Sequence, residues 1–214
     1  MIKATRILLA EDHAIVIEGL RRVLEPLFEI VGEVEDGRAL VAAAGALHPD
    51  IIIADISMPL LNGIEAARQI RKIDRKVKII FLTMHPEVNY AAEALGAGGS
   101  AYVLKSSAGV RILDAIREVL AGRLYVTPSI DREMLDAKMK QANQGDGLPF
   151  KLTARQREVL HLIVEGRATK DIAAILHVSP RTVEFHKYCV MEALGVRTTT
   201  ELINYVVRRG IIAT

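Results

Sequence analysis

Five short apolar runs, each followed by a segment with helical spacing, fill the first 121 residues. The clearest covers residues 50–57, where Ile51, Ile52 and Ile53 run without a polar break and end near Asp55. A continuous β-branched run reads as a strand buried on both faces, as in a parallel sheet covered by helices. Similar runs occupy residues 6–11, 28–34, 77–83 and 100–104. Between and after them, residues 14–24, 37–47, 64–73, 87–95 and 110–121 read as helices, the first halted by Pro26. Strands alternating with helices predict an α/β fold: a doubly wound (βα)5 sheet with right-handed crossovers and strand order 2-1-3-4-5.

The pattern changes after residue 121. Residues 122–128 lead out of the fifth helix, and residues 130–141 predict one polar-faced helix with Ile130, Met134, Leu135 and Met139 at helical spacing. The run NQGDGLP over 143–149 is rich in turn formers and poor in apolar residues, so it reads as a flexible boundary. The expected division is a domain over 1–127, a linker over 128–149 and an all-α domain of four helices over 150–214. In that last segment Thr153 and Gln156 form a capping box, and Val159, Leu160, Leu162 and Ile163 give a helix an apolar face closed by Gly166. A second helix covers 169–176, and a short turn at His177 and Val178 follows. Ser179 caps a third helix that Pro180 opens and Gly195 ends. A fourth begins at the box Thr198-x-x-Glu201 and ends near Arg209 and Gly210. Two helices joined by so short a turn match a helix-turn-helix. Periodicity alone fits a four-helix bundle with a protein partner equally well.

Composition narrows the setting. No apolar run approaches the ~18 residues of a membrane helix, and the apolar stretch near the N-terminus is too short for a signal peptide. A lone cysteine, Cys189, fits a reducing cytoplasm. The formal charge of +2 hides an asymmetry, because residues 1–149 carry a net −2 and residues 150–214 a net +4. The basic third leans toward an anionic partner such as nucleic acid.

The predicted strands end in chemistry. Strand one offers Glu11 and Asp12, strand three Asp55, strand four Thr83 and strand five Lys105. In the predicted strand order these neighbours converge at the carboxyl edge, where open α/β sheets bind ligands. Three clustered carboxylates repel one another unless a cation joins them. An all-oxygen site suits Mg²⁺, which keeps several waters and uses few protein ligands. Lys105 and Thr83 then face a second anion, for which a phosphoryl group is the natural candidate. An aspartate can itself be the nucleophile and form an acyl phosphate.

The ordered set Glu11–Asp12, Asp55, Pro59, Gly63, Thr83, Tyr102 and Lys105 resembles the receiver domain of bacterial two-component response regulators, whose fold is flavodoxin-like. The likeness spans residues 4–121. It implies that Asp55 accepts phosphate from a sensor histidine kinase. It further implies that Glu11, Asp12, Asp55 and the backbone carbonyl of Ser57 hold Mg²⁺, and that Thr83 and Lys105 bind the phosphoryl group. Tyr102 is then the switch aromatic, reshaping the face of the fourth helix, fifth strand and fifth helix. Ser57 and His85 flank the site, where they bear on the lifetime of the phosphate. A haloacid-dehalogenase-type phosphatase also uses Asp, Thr and Lys around Mg²⁺. It places its nucleophile after the first strand, with a second Asp two residues on, whereas here the central acid follows the third strand and position 57 is Ser. The likeness therefore implies no enzyme beyond a domain that catalyses its own phosphoryl transfer and dephosphorylation.

The string LTARQREVLHLIVEGRATKDIAAILHVSPRTVEFHKYCVMEALGV is similar to the LuxR-type helix-turn-helix of NarL/FixJ regulators. That resemblance implies a transcription regulator binding the major groove of double-stranded DNA. It implies that Lys170, Arg181 and Lys187 lie at or near phosphates, and Thr182, Glu184, Phe185 and Tyr188 at or near base edges. The sequence departs from the family at three places: His177 stands where the turn usually has Gly, Ala193 where Lys is common, and Tyr188 where smaller or polar residues are frequent. The expected active form is a cytoplasmic homodimer on inverted half-sites, with Leu202, Val206 and Val207 of the last helix as its contact. The alternative is a phosphorylation-independent DNA-binding regulator that uses the receiver only to dimerise.

Overall fold

The structure, a computed structural model, describes residues 4–143 and 152–208. The chain divides into two units between residues 144 and 145. Within the first, β1 (Arg6–Ala10), β2 (Glu29–Val34), β3 (Ile51–Asp55), β4 (Lys78–Thr83), β5 (Ala101–Leu104) and β6 (Tyr125–Val126) form one sheet in the order β2-β1-β3-β4-β5-β6. Every pairing is parallel. The connections carry α1 (Ala14–Leu24), α2 (Gly37–Leu47), α3 (Gly63–Ile73), α4 (Val88–Gly96) and α5 (Ala108–Leu120).

Alternation along the strands builds the two layers of core. Ile7, Leu9, Ile51, Ile53, Ile80, Leu82 and Val103 cluster with Leu20 and Leu24 of α1 and Ile112 and Ile116 of α5. Leu8, Ile52 and Phe81, one step out of phase, are equally buried and belong to the opposite face. Side-chain caps set two helix starts. The Asp36 carboxylate accepts from the amides of Arg38 and Ala39, both at 2.8 Å, and Asn62 accepts from the Glu65 amide at 2.8 Å.

The stretch after α5 does more than leave the domain. Tyr125 and Val126 pair with Ala101 and Tyr102 as a sixth strand. Thr127 fastens it: its Oγ1 accepts from the Leu104 amide at 3.1 Å and donates to the Tyr102 carbonyl at 3.3 Å. The next helix, α6 (Arg132–Asn143), belongs to the first unit and packs against α4. Its apolar anchor is Leu135, fully buried, with Ile130 buried just before the helix. Residues 128–143, expected as linker, belong to the first unit, while 144–149 lie outside the described residues. On the face of α4, β5 and α5, which the receiver resemblance implies is reshaped, the chain's own β6 pairs with β5 and its α6 packs against α4. Leu135→Ala is expected to remove most of what docks α6. Emptying a buried leucine site typically costs about 2–5 kcal/mol, enough to free a helix with so small an apolar face. Hydrogen exchange should rise in α6 and stay unchanged in β1, β3 and β4; uniform exchange across the unit would show that α6 is not a separately docked element.

The second unit holds α7 (Ala154–Val164), α8 (Thr169–Leu176), α9 (Pro180–Leu194) and α10 (Thr199–Arg208). Its core joins Val159, Leu162, Ile172, Leu176, Val183, Val190 and Leu194 to Leu202 and Val206. Thr153 and Gln156 form the expected capping box, and the Ser179 hydroxyl caps α9 through the Thr182 amide at 3.1 Å. His177 ends α8 at φ 54°, a left-handed conformation that glycine would adopt more easily. Leu202 and Val206 face the core of their own unit, so they are not free to form a dimer contact; Val207 remains exposed. Arg209 and Gly210, expected at the end of the last helix, lie outside the described residues. Among the described residues no helix is long and apolar enough to cross a membrane.

Candidate functional site

Strand register gathers the polar residues. Ala10 pairs with Ala54, so the next residues, Glu11 and Asp55, emerge side by side. Asp55 pairs with Leu82, which puts Thr83 one step further along β4. Thr83 in turn pairs with Leu104, so Lys105 emerges next. Four residues far apart in the chain thereby reach one mouth at the carboxyl edge of the sheet.

The mouth is nearly closed to solvent at its floor: Glu11 is 2% exposed, Asp55 3% and Thr83 0%. The Lys105 ammonium lies between the two acids, 2.9 Å from Asp55 Oδ2 and 2.7 Å from Glu11 Oε2. Burial alone would lower the pKa of Lys105, but hydrogen bonds to Asp55 and Glu11 outweigh it and hold the value above the ordinary one. Asp12 stands at the rim with His13, whose Nδ1 is 2.8 Å from both Glu11 Oε1 and Asp12 Oδ1. The hydrogen bond to Glu11 and the charge of Asp12 raise the pKa of His13. Ligand atoms of Glu11, Asp12, His13 and Asp55 all lie within 4.8 Å of one another. Glu11 Oε2 is sealed from solvent, with the Lys105 ammonium 2.7 Å away as its charge partner. The three carboxylates of that cluster, Glu11, Asp12 and Asp55, supply oxygen ligands of the kind a hard divalent cation takes. His13 was not among the sequence candidates, although its place directly after the acid pair was the available signal.

Around the floor runs a second chain of contacts. Thr83 Oγ1 accepts from the His85 amide at 3.2 Å. His85 Nε2 shares a 3.1 Å hydrogen bond with Ser57 Oγ, two residues beyond Asp55. The His85 ring packs on Tyr90 of α4, with centroids 4.4 Å apart. The His85 carbonyl accepts from the Tyr102 hydroxyl at 2.8 Å. Tyr102 is fully buried, and burial pushes its phenol pKa far above the ordinary value. One residue, His85, thus touches the rim of the pocket, Tyr102 and α4.

The loop after β3 is held by close backbone approach. A Cβ on Gly63 would lie 2.0 Å from the Asp55 carbonyl oxygen, and one on Gly37 would lie 1.9 Å from that of Leu61. The Gly63 amide donates to the Ile56 carbonyl at 2.9 Å. Pro59 precedes Leu60, which takes a left-handed φ of 64°.

In the second unit, Arg181, Glu184, Phe185 and Tyr188 share the exposed side of α9, opposite buried Val183 and Val190. Lys170 is exposed on α8. Thr182 is partly buried, with its hydroxyl 2.8 Å from that of Ser179. The Lys187 ammonium is 3.7 Å from Glu184 Oε2.

An acidic mouth on a doubly wound parallel sheet, in one chain with a helix-turn-helix unit, defines a two-module regulator of DNA. Comparison with known proteins gives the family. The response regulator receiver domain matches residues 7–117, and the luxR family of bacterial regulatory proteins matches residues 151–206. The chain belongs to the response regulators that join a receiver to a LuxR-type DNA-binding domain. It is 32% identical to response regulator UvrY of Escherichia coli O6:H1, over 96% of this chain and 94% of that one. It resembles the solved RcsB response regulator of Salmonella typhimurium at a TM-score of 0.68 and 28% identity, over 97% of this chain and 98% of that one. A further RcsB structure, bound to promoter rprA in the presence of the phosphomimetic BeF3-, matches at 0.65 and 28%, over 96% of this chain and 99% of that one.

Proposed function

We propose that Asp55 accepts a phosphoryl group from a sensor histidine kinase and that this modification controls DNA binding by the second unit. The observation that carries the reading is the Lys105 ammonium held between two buried carboxylates. The same ammonium can turn from Asp55 to the phosphoryl oxygens once Asp55 carries them. An Asp55 carboxylate oxygen attacks phosphorus, the P–N bond to the donor imidazole breaks, and an acyl phosphate results. Glu11, Asp12, Asp55 and the Ser57 carbonyl would hold Mg²⁺, which supplies positive charge to the phosphoryl oxygens. His13, beside Glu11 and Asp12, stands at the edge of that set.

The Thr83 hydroxyl donates to the phosphoryl group. Its movement draws on the His85 segment, and through it on Tyr102, Tyr90 and α4. Because α4 carries α6, the signal reaches the segment leading toward the DNA-binding unit. The active form is a cytoplasmic homodimer reading inverted half-sites in the major groove. The protein catalyses only its own phosphorylation and the loss of that phosphate.

Acetyl phosphate with Mg²⁺ tests the reading. Wild type should take up about one phosphoryl group per chain on a carboxylate, and Asp55→Asn or added EDTA should abolish uptake. Uptake that survives in Asp55→Asn would refute Asp55 as the acceptor. Wild type that never labels yet binds DNA would favour a phosphorylation-independent regulator.

A further inference from the structure

The exposed face of α9 carries little positive charge for a helix that enters a groove walled by phosphates. Arg181 is its exposed cation, Lys187 is engaged near Glu184, and Phe185 and Tyr188 are apolar or neutral. In their midst Glu184 presents a carboxylate whose side chain is 53% exposed. Its position is not left to chance. Thr169, on the preceding helix of the pair, donates its hydroxyl to Glu184 Oε1 at 2.6 Å. The Lys187 ammonium lies 3.7 Å from Oε2 and partly balances the charge. One carboxylate oxygen is thereby fixed by α8, and the other, 3.7 Å from the Lys187 ammonium and so beyond hydrogen-bond distance of it, can accept from outside.

A carboxylate in the major groove only accepts hydrogen bonds. Guanine offers it two acceptors, N7 and O6, and thymine offers the acceptor O4. Only cytosine N4 and adenine N6 donate there. Adenine places the acceptor N7 beside its amino group, which repels a second carboxylate oxygen, whereas cytosine has no acceptor on that edge.

We propose that Glu184 is a specificity-determining residue that selects cytosine at one position of each half-site, with Thr169 as the residue that positions it. The proposal rests on the reading that α9 enters the major groove. A cross-brace that merely ties α8 to α9 would also explain the Thr169 hydrogen bond, but it would leave base preference untouched.

The test is selection from a randomised duplex library by full-length protein treated with acetyl phosphate and Mg²⁺. Wild type, Glu184→Ala and Glu184→Gln are compared at equal thermal stability. Wild type should select a cytosine that Glu184→Ala no longer requires. Glu184→Gln should shift the preference toward adenine, because an amide both donates to N7 and accepts from N6. In the selected duplex, replacing that cytosine by 2-pyrimidinone removes the amino group alone. Wild type should then bind roughly 5- to 150-fold more weakly, and Glu184→Ala should bind both duplexes alike. Thr169→Val should reduce the discrimination without changing the salt dependence that reports phosphate contacts. An unaltered cytosine preference in Glu184→Ala would overturn the proposal while leaving the groove reading intact. A wild type that selects no sequence at all would overturn both.

Discussion

Lys105→Met is expected to disable the receiver and destabilise it together. The Lys105 side chain is 10% exposed, and its ammonium bridges Glu11 and Asp55, which are themselves almost fully buried. Removing one partner of a buried ion pair leaves uncompensated charge and costs about 3–5 kcal/mol. The cost here falls toward the lower end, because the mouth opens to solvent at Asp12 and His13. Two like charges without their cation then become a stronger site for another one. Added Mg²⁺ should restore much of the lost thermal stability, and the variant should bind Mg²⁺ more tightly than wild type. Labelling by acetyl phosphate should nonetheless fall sharply, since methionine cannot neutralise the phosphoryl oxygens. The pH dependence has a definite sign. The folded-state pKa of Lys105 is raised above its ordinary 10.5. Its stabilisation is fully present below that ordinary value and is lost as pH climbs through the raised one. Melting temperatures of wild type and variant should converge only in that alkaline range. Equal melting temperatures at neutral pH without Mg²⁺ would contradict the ion-pair account.

The second large effect concerns a residue with no side chain. Gly63→Ala places a Cβ 2.0 Å from the Asp55 carbonyl oxygen and 3.0 Å from its carbonyl carbon. Neither atom is the end of a flexible side chain, so the backbone of Asp55 itself must move. Forced overpacking typically costs about 1–3 kcal/mol, and a clash with backbone belongs at the upper end of that range. The displacement also drags Asp55 from Lys105, so labelling should slow in the molecules that still fold. Gly45→Ala is the control. A Cβ there meets nothing within 4 Å, and alanine is the better helix former by about 0.5–1 kcal/mol. The two substitutions should therefore shift stability in opposite directions, as read by denaturant unfolding. A harmless Gly63→Ala would mean that the loop after β3 does not constrain Asp55.

Much of the receiver was legible because its signals are strong and local. Runs such as Ile51–Ile53 tolerate few readings other than a doubly buried strand, and the first, third, fourth and fifth runs lead directly into their polar residues. Parallel pairing then does the rest, since register alone sets Glu11 beside Asp55 and Lys105 beyond Thr83. The sixth strand was not legible. Two residues, Tyr125 and Val126, have no period to detect, and their pairing depends on Thr127 reaching β5. The polar helix after it was expected, but its docking was not, because a single leucine, Leu135, supplies most of the buried anchor. In α10 the spacing of Leu202 and Val206 was visible, but which partner they face was not. They fill the core of their own unit. His85 shows a different limit. Its neighbours Ser57, Thr83, Tyr90 and Tyr102 come from separate elements, so its place at their junction appears only in three dimensions.

The central claim is that the state of Asp55 sets how tightly the LuxR-type domain holds DNA. Titration of a selected duplex with wild type and Asp55→Asn, each with and without acetyl phosphate and Mg²⁺, measures it directly. A coupling of ordinary size corresponds to a change of roughly 5- to 150-fold in affinity. The account predicts tighter binding for phosphorylated wild type alone, with Asp55→Asn matching untreated wild type under both conditions. Equal affinity across all four samples, with wild type demonstrably labelled, would contradict it.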